Sequence, residues 1–187
     1  MARVRLIFKG IAEIVGADGL AVITLTDESQ QRAINVVCDS NMKYQLTLRM
    51  GHQDLCKYLL PEVLMTMLAD YMSEGNLEIS IYDINDGQYK TSLLNVDTYT
   101  LRQIRFSDAV LLHLIAHIPI YISSSLMDKQ SMPFQENAMG ISLPINTLDS
   151  ERLKLELDKA VEQENYRLAS FIKEELTKRE GKENQKE

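Results

Sequence analysis

The residues with the most evident chemical potential stand together in the segment "IRFSDAVLLHLIAHIPIYI". Arg105, Ser107 and Asp108 precede a strongly apolar stretch. In one interpretation, Ser107 is the N-cap of a helix, Asp108 gains from the helix dipole, and Arg105 pairs with Asp108 through two hydrogen bonds. In the other, these residues supply an acid and a base at the rim of a site where helix N–H groups point at a phosphate. The residues alone favour the capped corner.

Further acids stand where predicted elements begin or end. Glu62 lies at the start of a helix, and Asp83 and Asp86 lie near the end of a strand. Carboxylates that converge from such positions can hold Mg²⁺ or Mn²⁺ for phosphodiester hydrolysis. Acids in turns and caps are common in soluble proteins, so each one alone is weak evidence for a site.

His113 and His117 are spaced i, i+4, as two zinc ligands on one helix face would be. The segment "HLIAH" lacks the glutamate of a HExxH metalloprotease site. In an apolar helix, hydrogen-bonded structural histidines are favoured over a metal site.

The composition limits the function classes. The formal charge is −7 over 187 residues, and no basic cluster is visible, which disfavours metal-free, high-affinity nucleic-acid binding. A metal-assisted hydrolase stays compatible, because a bound cation supplies positive charge locally. Cys38 and Cys56 are too few for a disulfide scaffold. With no signal peptide, and an apolar run too short to span a bilayer, the prediction is a soluble cytoplasmic protein without a membrane partner.

The elements that must position these residues can be placed in outline. "VRLIFKGIAEIV" and "LAVITLTD" predict a hairpin around residues 16–19, and "RAINVVCD" predicts a third strand. The pattern of residues 40–50 fits both a strand and a helix. Alternation of apolar and polar residues slightly favours a strand, whereas Met42, Leu46 and Met50 fit one helix face. A helix is predicted from Pro61 until Ser73-Glu74-Gly75.

A meander follows that helix. "LEISIYDI" and "QYKTSLLNV" flank the hairpin turn "NDG", "YTLRQIRF" continues the sheet, and a helix is predicted from Ser107 to about His117. "PIYI" predicts a buried strand, followed by a short helix over residues 123–129. The predicted fold class is α+β: a mixed, largely antiparallel sheet with packed helices, plus a C-terminal two-helix hairpin.

The C-terminal part differs in character. Residues 131–150 hold two prolines and no sustained period, which predicts a linker. Residues 151–180 carry two apolar helix stripes within a highly charged background, which predicts a helical hairpin. Residues 181–187 are polar and predict a disordered tail. The predicted organisation is therefore a domain over residues 1–130, a linker, a hairpin and a tail.

The segment "IRFSDAVLLHLIAHIPIYISSSLMD" resembles, without a gap, the "ARPSDAIALALRxGAPIYVxxxVLD" signature of the bifunctional nuclease family. The positions on the signature are Arg105, Ser107, Asp108, Ala109, Pro119, Ile120, Tyr121 and Asp128. "LEISIYDINDGQYKTSLL" is similar to a second family segment, and the resemblance covers roughly residues 3–130. Members of that family are credited with DNase and RNase activity. The resemblance also implies a helix from about Ser40 to Met50.

"LELDKAVEQENYRLASFIKEEL" resembles a second motif, the UVR motif of the excision-repair proteins UvrB and UvrC. In that family the motif is a helical hairpin that pairs with a partner or with itself. The resemblance therefore implies a protein partner bound through residues 151–180, and a homodimer is predicted.

Departures from the nuclease pattern bear on activity. The family's glutamate-alanine pair is absent, its Thr-His-Asp becomes Leu60-Pro61-Glu62, and His113 and His117 fall on small-residue positions. Two hypotheses follow. In the first, the chain cleaves DNA or RNA, with Asp108 and Glu62 as metal or base carboxylates, Mg²⁺ or Mn²⁺ as the cofactor and nucleic acid as a transient partner. Arg105 then stabilises phosphate charge and Ser107 belongs to the same site. In the second, a degenerate nuclease domain serves as an adaptor in repair or protein quality control through its C-terminal hairpin.

Overall fold

The structure is a computed structural model that describes residues 2–14, 19–71, 75–134 and 145–183. The strands are β1 (Arg3–Glu13), β2 (Leu20–Asp27), β3 (Arg32–Asp39), β4 (Leu77–Asn85), β5 (Gln88–Asn95), β6 (Thr100–Arg105), β7 (Ile120–Ser123) and β8 (Met132–Pro133). The helices are α1 (Ser40–Gly51), α2 (Gln53–Cys56), α3 (Leu60–Ala69), α4 (Phe106–Ala116), α5 (Ser124–Gln130), α6 (Ser150–Glu162) and α7 (Tyr166–Glu183), with a 3₁₀ turn at Ile145–Thr147.

The chain divides into two units. One contains Met1–Asp83 and Tyr89–Ser142, and the other contains Ile84–Gln88 and Leu143–Glu187. The strand order is β6-β5-β4-β7-β1-β2-β3-β8, with β4 and β7 parallel and β1 antiparallel to both β2 and β7. The α+β prediction with a mixed, largely antiparallel sheet is confirmed.

The sheet centre forms from β-branched and aliphatic runs. β2 is buried along most of its length, and β7 places Ile120 and Ile122 in the core against Ile79 and Ile81 of β4. A strand buried on both faces needs an almost continuous apolar sequence, as "LAVITLTD" supplies. The core of the first unit therefore lies on this sheet.

The ambiguous segment over residues 40–50 is a helix. The Asp39 side chain accepts a hydrogen bond from the backbone N–H of Met42 at 2.7 Å, which caps α1. Met42, Leu46 and Arg49 form its buried face. The strand that alternation slightly favoured is wrong, and the helix implied by the family resemblance is confirmed.

The predicted hairpin at Asn85-Asp86-Gly87 is confirmed. Asp86 and Gly87 have φ values of 46° and 72°, the pair of positive values that a type I′ turn requires. The predicted turn at residues 16–19 lies largely outside the described residues, which resume at Gly19.

Part of the predicted linker belongs to the sheet. Met132 and Pro133 pair with Ala33 and Arg32 at the β3 edge, and the Phe134 N–H donates to the carbonyl of Gln31 at 2.9 Å. A two-residue edge strand carries too little periodicity to be read from sequence. Residues 135–144 lie outside the described residues.

The C-terminal hairpin is present as predicted. Leu153 and Ala160 of α6 and Ala169 and Ile172 of α7 are buried, and the chain reverses at Glu164, whose φ is 56°. α7 continues to Glu183, into the predicted tail, and residues 184–187 lie outside the described residues. Every helix in the described parts of the chain is too short or too polar to cross a bilayer.

Candidate active site at the start of helix α4

The junction between β6 and α4 holds a bidentate ion pair. The Nε of Arg105 donates to Oδ2 of Asp108 at 2.7 Å, and its Nη2 donates to Oδ1 at 3.1 Å. The side chains are 76% and 31% exposed, respectively. The predicted pairing of Arg105 with Asp108 is therefore present, and solvent reaches both groups.

The helix begins at Phe106, one residue earlier than predicted, and its N-cap lies two residues before the predicted one. Arg105 has extended backbone angles and is the N-cap, without a side-chain capping bond, so Ser107 lies within the first turn. Phe106 is buried, and its ring lies 5.6 Å from that of Tyr89 between centroids. Because this contact fixes Phe106 at the start of the helix, the predicted Ser107 N-cap is wrong. Asp108 remains in the first turn, near the positive end of the helix dipole.

The charged form of Arg105 is stabilised by its acidic neighbours. The hydrogen bond and the charge of Asp108, opposed by desolvation, raise the pKa of the Arg105 guanidinium, and the charge of Asp39 adds to this effect. Asp39 is the N-cap of α1, so the α1 N-cap is electrostatically coupled to the start of α4.

Lys90 is a residue of this corner that the sequence did not indicate. It lies opposite Arg105 in the antiparallel pairing of β5 with β6. Directly opposed residues have Cβ atoms about 5 Å apart on one face of the sheet, and like charges there are destabilising. The register therefore places a second cationic residue opposite Arg105, and cationic residues at one corner suit an anionic ligand such as a phosphate. In the sequence, only the length of the loop between β5 and β6 indicates that Lys90 and Arg105 lie opposite each other, because that length sets the register of the two strands.

Glu62 is bound to a buried arginine. The Nη2 of Arg49 donates to Oε2 of Glu62 at 2.9 Å, and its Nε lies 2.7 Å from Oε1, within ion-pair distance but not aligned as a hydrogen bond. Nη1 of Arg49 donates to Oε1 of Gln45 at 2.8 Å. The side chains of Arg49 and Glu62 are only 2% and 14% exposed. The partner Arg49 was not foreseen from sequence.

Glu62 and Asp108 lie along different parts of α4. Glu62 lines a cavity of about 170 Å³ with Leu114, Ile115 and His117. Asp108 lies in the first turn, and these residues follow it by at least six positions, which is roughly 10 Å along the axis at 1.5 Å per residue. The structure does not bring the two carboxylates together in the way a shared metal would need.

The donor set does not fit a metal held by Asp108 and Glu62. One oxygen of Glu62 accepts a hydrogen bond from Arg49 and the other lies within ion-pair distance of it, so coordination of a metal would require this buried pair to break. Within the described ranges, no three His, Cys, Asp or Glu side chains are grouped so that they could hold a metal ion.

The other predicted acids have separate surroundings. Asp83 lies at the exposed end of β4. Asp86 belongs to the second unit, where its Oδ1 accepts from the backbone N–H of Ser150 and from Nη1 of Arg179, each at 3.1 Å. Hydrogen bonds from Ser150 and Arg179, acting against desolvation, lower the pKa of Asp86. These contacts give Asp86 a structural role in the turn.

The two histidines do not form a pair on one helix face. His113 lies in α4 with a ring nitrogen 2.8 Å from the carbonyl oxygen of Ile118, and burial lowers its pKa. His117 has a φ of 54° and ends the helix as its left-handed cap. The predicted helix therefore stops one residue short, and both histidines have structural surroundings.

Both cysteines are buried and free. Burial, with a contribution from the charge of Asp39, raises the pKa of Cys38 to about 12. A thiol in this environment is a poor nucleophile.

The domain is of the α+β class: it has a mixed sheet, and an arginine–aspartate ion pair lies at the corner between β6 and α4. The family model of the bifunctional nuclease domain matches residues 23–135, a span that holds α1, α3 and the whole corner. The chain belongs to the bifunctional nuclease domain family, which is a nuclease-type family. No curated protein matches the sequence closely enough to add a relative.

Proposed function

We propose that this chain hydrolyses phosphodiester bonds of DNA or RNA at the corner formed by Lys90, Arg105, Ser107 and Asp108. The observation that carries the proposal is the exposed Arg105–Asp108 pair beside a second cation, inside the segment that the nuclease family model matches.

Each residue has a proposed role. Arg105 and Lys90 hold the phosphate and offset the charge that develops in the transition state. Ser107 and the first-turn amides donate hydrogen bonds to phosphate oxygens. Asp108, oriented by Arg105, accepts a proton of the attacking water as the new P–O bond forms and the P–O bond to the leaving sugar oxygen breaks, and that oxygen takes a proton from solvent water. Assistance by Mg²⁺ or Mn²⁺ stays a separate prediction, and no step here is routed through a metal because Glu62 and Asp108 do not form a donor pair.

The test is a cleavage assay on supercoiled plasmid and on labelled RNA, with Mg²⁺, with Mn²⁺ and with EDTA. Asp108→Asn and Arg105→Gln should each lower the rate about 100-fold or more, the usual contribution of a positioned base or charge-stabilising group. Asp54→Asn is the matched control, since Asp54 is an almost fully exposed acid of α2. Cleavage that is equal in wild type and Asp108→Asn contradicts the assignment.

A second candidate function is an adaptor that acts through the UVR-like hairpin over residues 151–180. The observation that favours it is the set of large apolar side chains left exposed on α6 and α7 while the seam between these helices is closed. These residues are Leu155, Val161, Tyr166 and Phe171. Exposed apolar residues on a short hairpin suit docking onto a protein partner.

The adaptor hypothesis predicts a partner that the wild-type chain captures from lysate and that mass spectrometry identifies. Leu155→Glu with Tyr166→Ser, and deletion of residues 151–187, should each abolish this capture. Glu151→Gln, a polar change on the same hairpin, is the control. Partner capture that survives both changes rules out the hairpin as the docking element.

A further inference from the structure

Helix α3 is apolar but has no buried residue. Its sequence, "LPEVLMTMLA", contains one charge, and no residue is fully buried, although the Glu62 side chain is largely covered by its contact with Arg49. Pro61, Glu62 and Met65 are partly covered and lie on the side that meets the rest of the first unit. A helix of this composition normally stabilises itself by burying its apolar stripe. In α3 most of that stripe faces solvent.

The most exposed apolar side chains of α3, together with the tyrosines that flank it, are here called the α3 face. The face consists of Leu60, Leu64, Met67 and Leu68 of the helix and of Tyr58 and Tyr71 just outside it, with exposed fractions from 45% to 88%. Leu60, Leu64, Met67 and Tyr71 follow the 4-3-4 spacing of residues in the seam between two packed helices. The spacing is therefore typical of a helix that packs against a second helix. In the described first unit, no helix covers these side chains.

The area of this face suits a protein interface. At roughly 200 Å² for each fully exposed large side chain, the six residues present about 800 Å². That exceeds the usual largest apolar patch of a monomer, a few hundred Å², and equals the roughly 800 Å² that each partner contributes to a standard interface.

The charge distribution points to a second copy of this chain as the occupant. With a net charge of −7, two copies repel each other at long range, and a contact surface without charges adds no local repulsion to this. The α3 face has this property: helical geometry places Glu62 on the opposite side, where Arg49 binds it, and Asp70 at the edge. A face without charges also has nothing to select a basic or acidic partner, whereas two identical apolar stripes are complementary to each other.

We propose that two copies of this chain form a homodimer by packing their α3 faces against each other. The proposal is independent of catalysis at the α4 corner. It assigns the dimer interface to α3 and leaves the C-terminal hairpin available to other partners.

The test uses the full-length chain, with mass measured by light scattering and by sedimentation equilibrium from low to high micromolar concentration. Wild type should be a dimer. Leu64→Glu with Met67→Glu should raise the dissociation constant at least about 100-fold, because the central side chains of an interface dominate its affinity. Tyr99→Glu with Leu101→Glu adds the same charge at exposed apolar positions away from α3 and should leave the dimer intact. Circular dichroism checks that each variant is folded.

A second measurement holds even if the glutamate variants fold poorly. Leu64→Cys or Met67→Cys should give a disulfide-linked dimer under mild oxidation, while Leu101→Cys should not, and the native Cys38 and Cys56 are buried and do not interfere. A wild type that is monomeric at all concentrations overturns the proposal. So does a dimer that both glutamate pairs leave unchanged, or a monomer that uses this face only to bind another protein or lipid vesicles.

Discussion

At the scale of single residues, Glu62 is a candidate metal ligand by its sequence position, but in the structure it is one half of an ion pair with Arg49. Its carboxylate and the guanidinium of Arg49 are both largely removed from water, and each is the main charge partner of the other. A buried ion pair gains little net stability over apolar residues, but losing one partner leaves an uncompensated charge. The pair therefore joins α1 to α3, and loss of either residue should destabilise the protein.

Glu62→Ala should lower the free energy of unfolding by about 3–5 kcal/mol, because Arg49 is left buried and unpaired. Urea denaturation followed by circular dichroism measures this. The double variant Arg49→Met with Glu62→Leu should recover most of the loss, since both charges are then absent. The control Asp54→Ala breaks an exposed i, i+3 pair with Lys57 and should have a much smaller effect. A small effect of Glu62→Ala would show that the pair opens to solvent.

His113 should make the stability of the protein depend on pH. Its folded pKa is lowered by burial, against a hydrogen bond to Ile118 and with small contributions from His117 and Arg5. Below about 6.5, the pKa of an unperturbed histidine, the unfolded chain binds a proton that the folded chain does not, so stability falls as the pH falls.

His113→Asn keeps a donor for the Ile118 carbonyl but does not titrate. Its free energy of unfolding should therefore fall less steeply than that of wild type between neutral and mildly acidic pH, as measured by urea denaturation at each pH. His52→Asn, at an exposed histidine, is the control and should retain the wild-type slope. Identical slopes for wild type and His113→Asn would mean that His113 is solvated in the folded state.

At the scale of elements, the turn between β4 and β5 is tightly constrained. Gly87 has a φ of 72°, and a Cβ there would lie 2.2 Å from the carbonyl oxygen of Leu148. Arg179 completes the cluster by donating to the carbonyl of Leu148 at 2.6 Å and to Asp86. The turn is therefore a packing element of the second unit as well as a reversal of the chain.

Gly87→Ala should destabilise the second unit by more than the backbone strain of a positive φ, because the added Cβ would also clash with the carbonyl of Leu148. Gly75→Ala is the matched control, because Gly75 has a φ of 76° but nothing within 4 Å of a Cβ. The control should cost about 1 kcal/mol of backbone strain, and Gly87→Ala should cost clearly more and speed proteolysis between α6 and α7. Thermal unfolding and limited proteolysis measure the two effects. Equal losses in both variants would show that Leu148 moves away without penalty.

The elements also show what the sequence could specify. The "NDG" turn, the strand "PIYI" and the C-terminal hairpin follow from local patterns and were predicted correctly. Residues 40–50 fit two periods, and only the family resemblance favoured the helix that Asp39 caps. The N-cap of α4 is Arg105, two residues before the predicted Ser107, because burial of Phe106 against Tyr89, a tertiary contact, outweighed the capping preference of Ser107.

The candidate site was only partly visible in the sequence for a similar reason. Arg105 and Asp108 are three residues apart, so their pairing follows from local geometry. Lys90 reaches the corner through strand register, and Arg49 reaches Glu62 through the packing of two helices. Neither relation is encoded in local spacing, so the sequence alone is compatible with a metal pair of Glu62 and Asp108, whereas the contact of Glu62 with Arg49 disfavours it.

At the scale of the whole molecule, an acidic chain must concentrate its cations to bind an anion. Lys and Arg number 20 against 27 Asp and Glu. Outside the corner, several arginines are bound to carboxylates, namely Arg3, Arg32, Arg49 and Arg179, whereas Arg105 is paired with Asp108 but 76% exposed. Binding of nucleic acid at the α4 corner would therefore involve few phosphate contacts, principally those of Lys90 and Arg105.

A small number of contacts predicts a shallow salt dependence. With two phosphates neutralised, the logarithm of the association constant for duplex DNA should fall with the logarithm of salt concentration at a slope of about −2. Asp108→Asn, proposed to be inactive, allows binding to be measured by fluorescence anisotropy without cleavage, and adding Lys90→Gln should reduce the slope by about 1. The control Lys57→Gln changes an exposed lysine outside the corner and should leave the slope unchanged. A slope several times steeper, unaffected by Lys90→Gln, would place the nucleic acid on another surface of the protein.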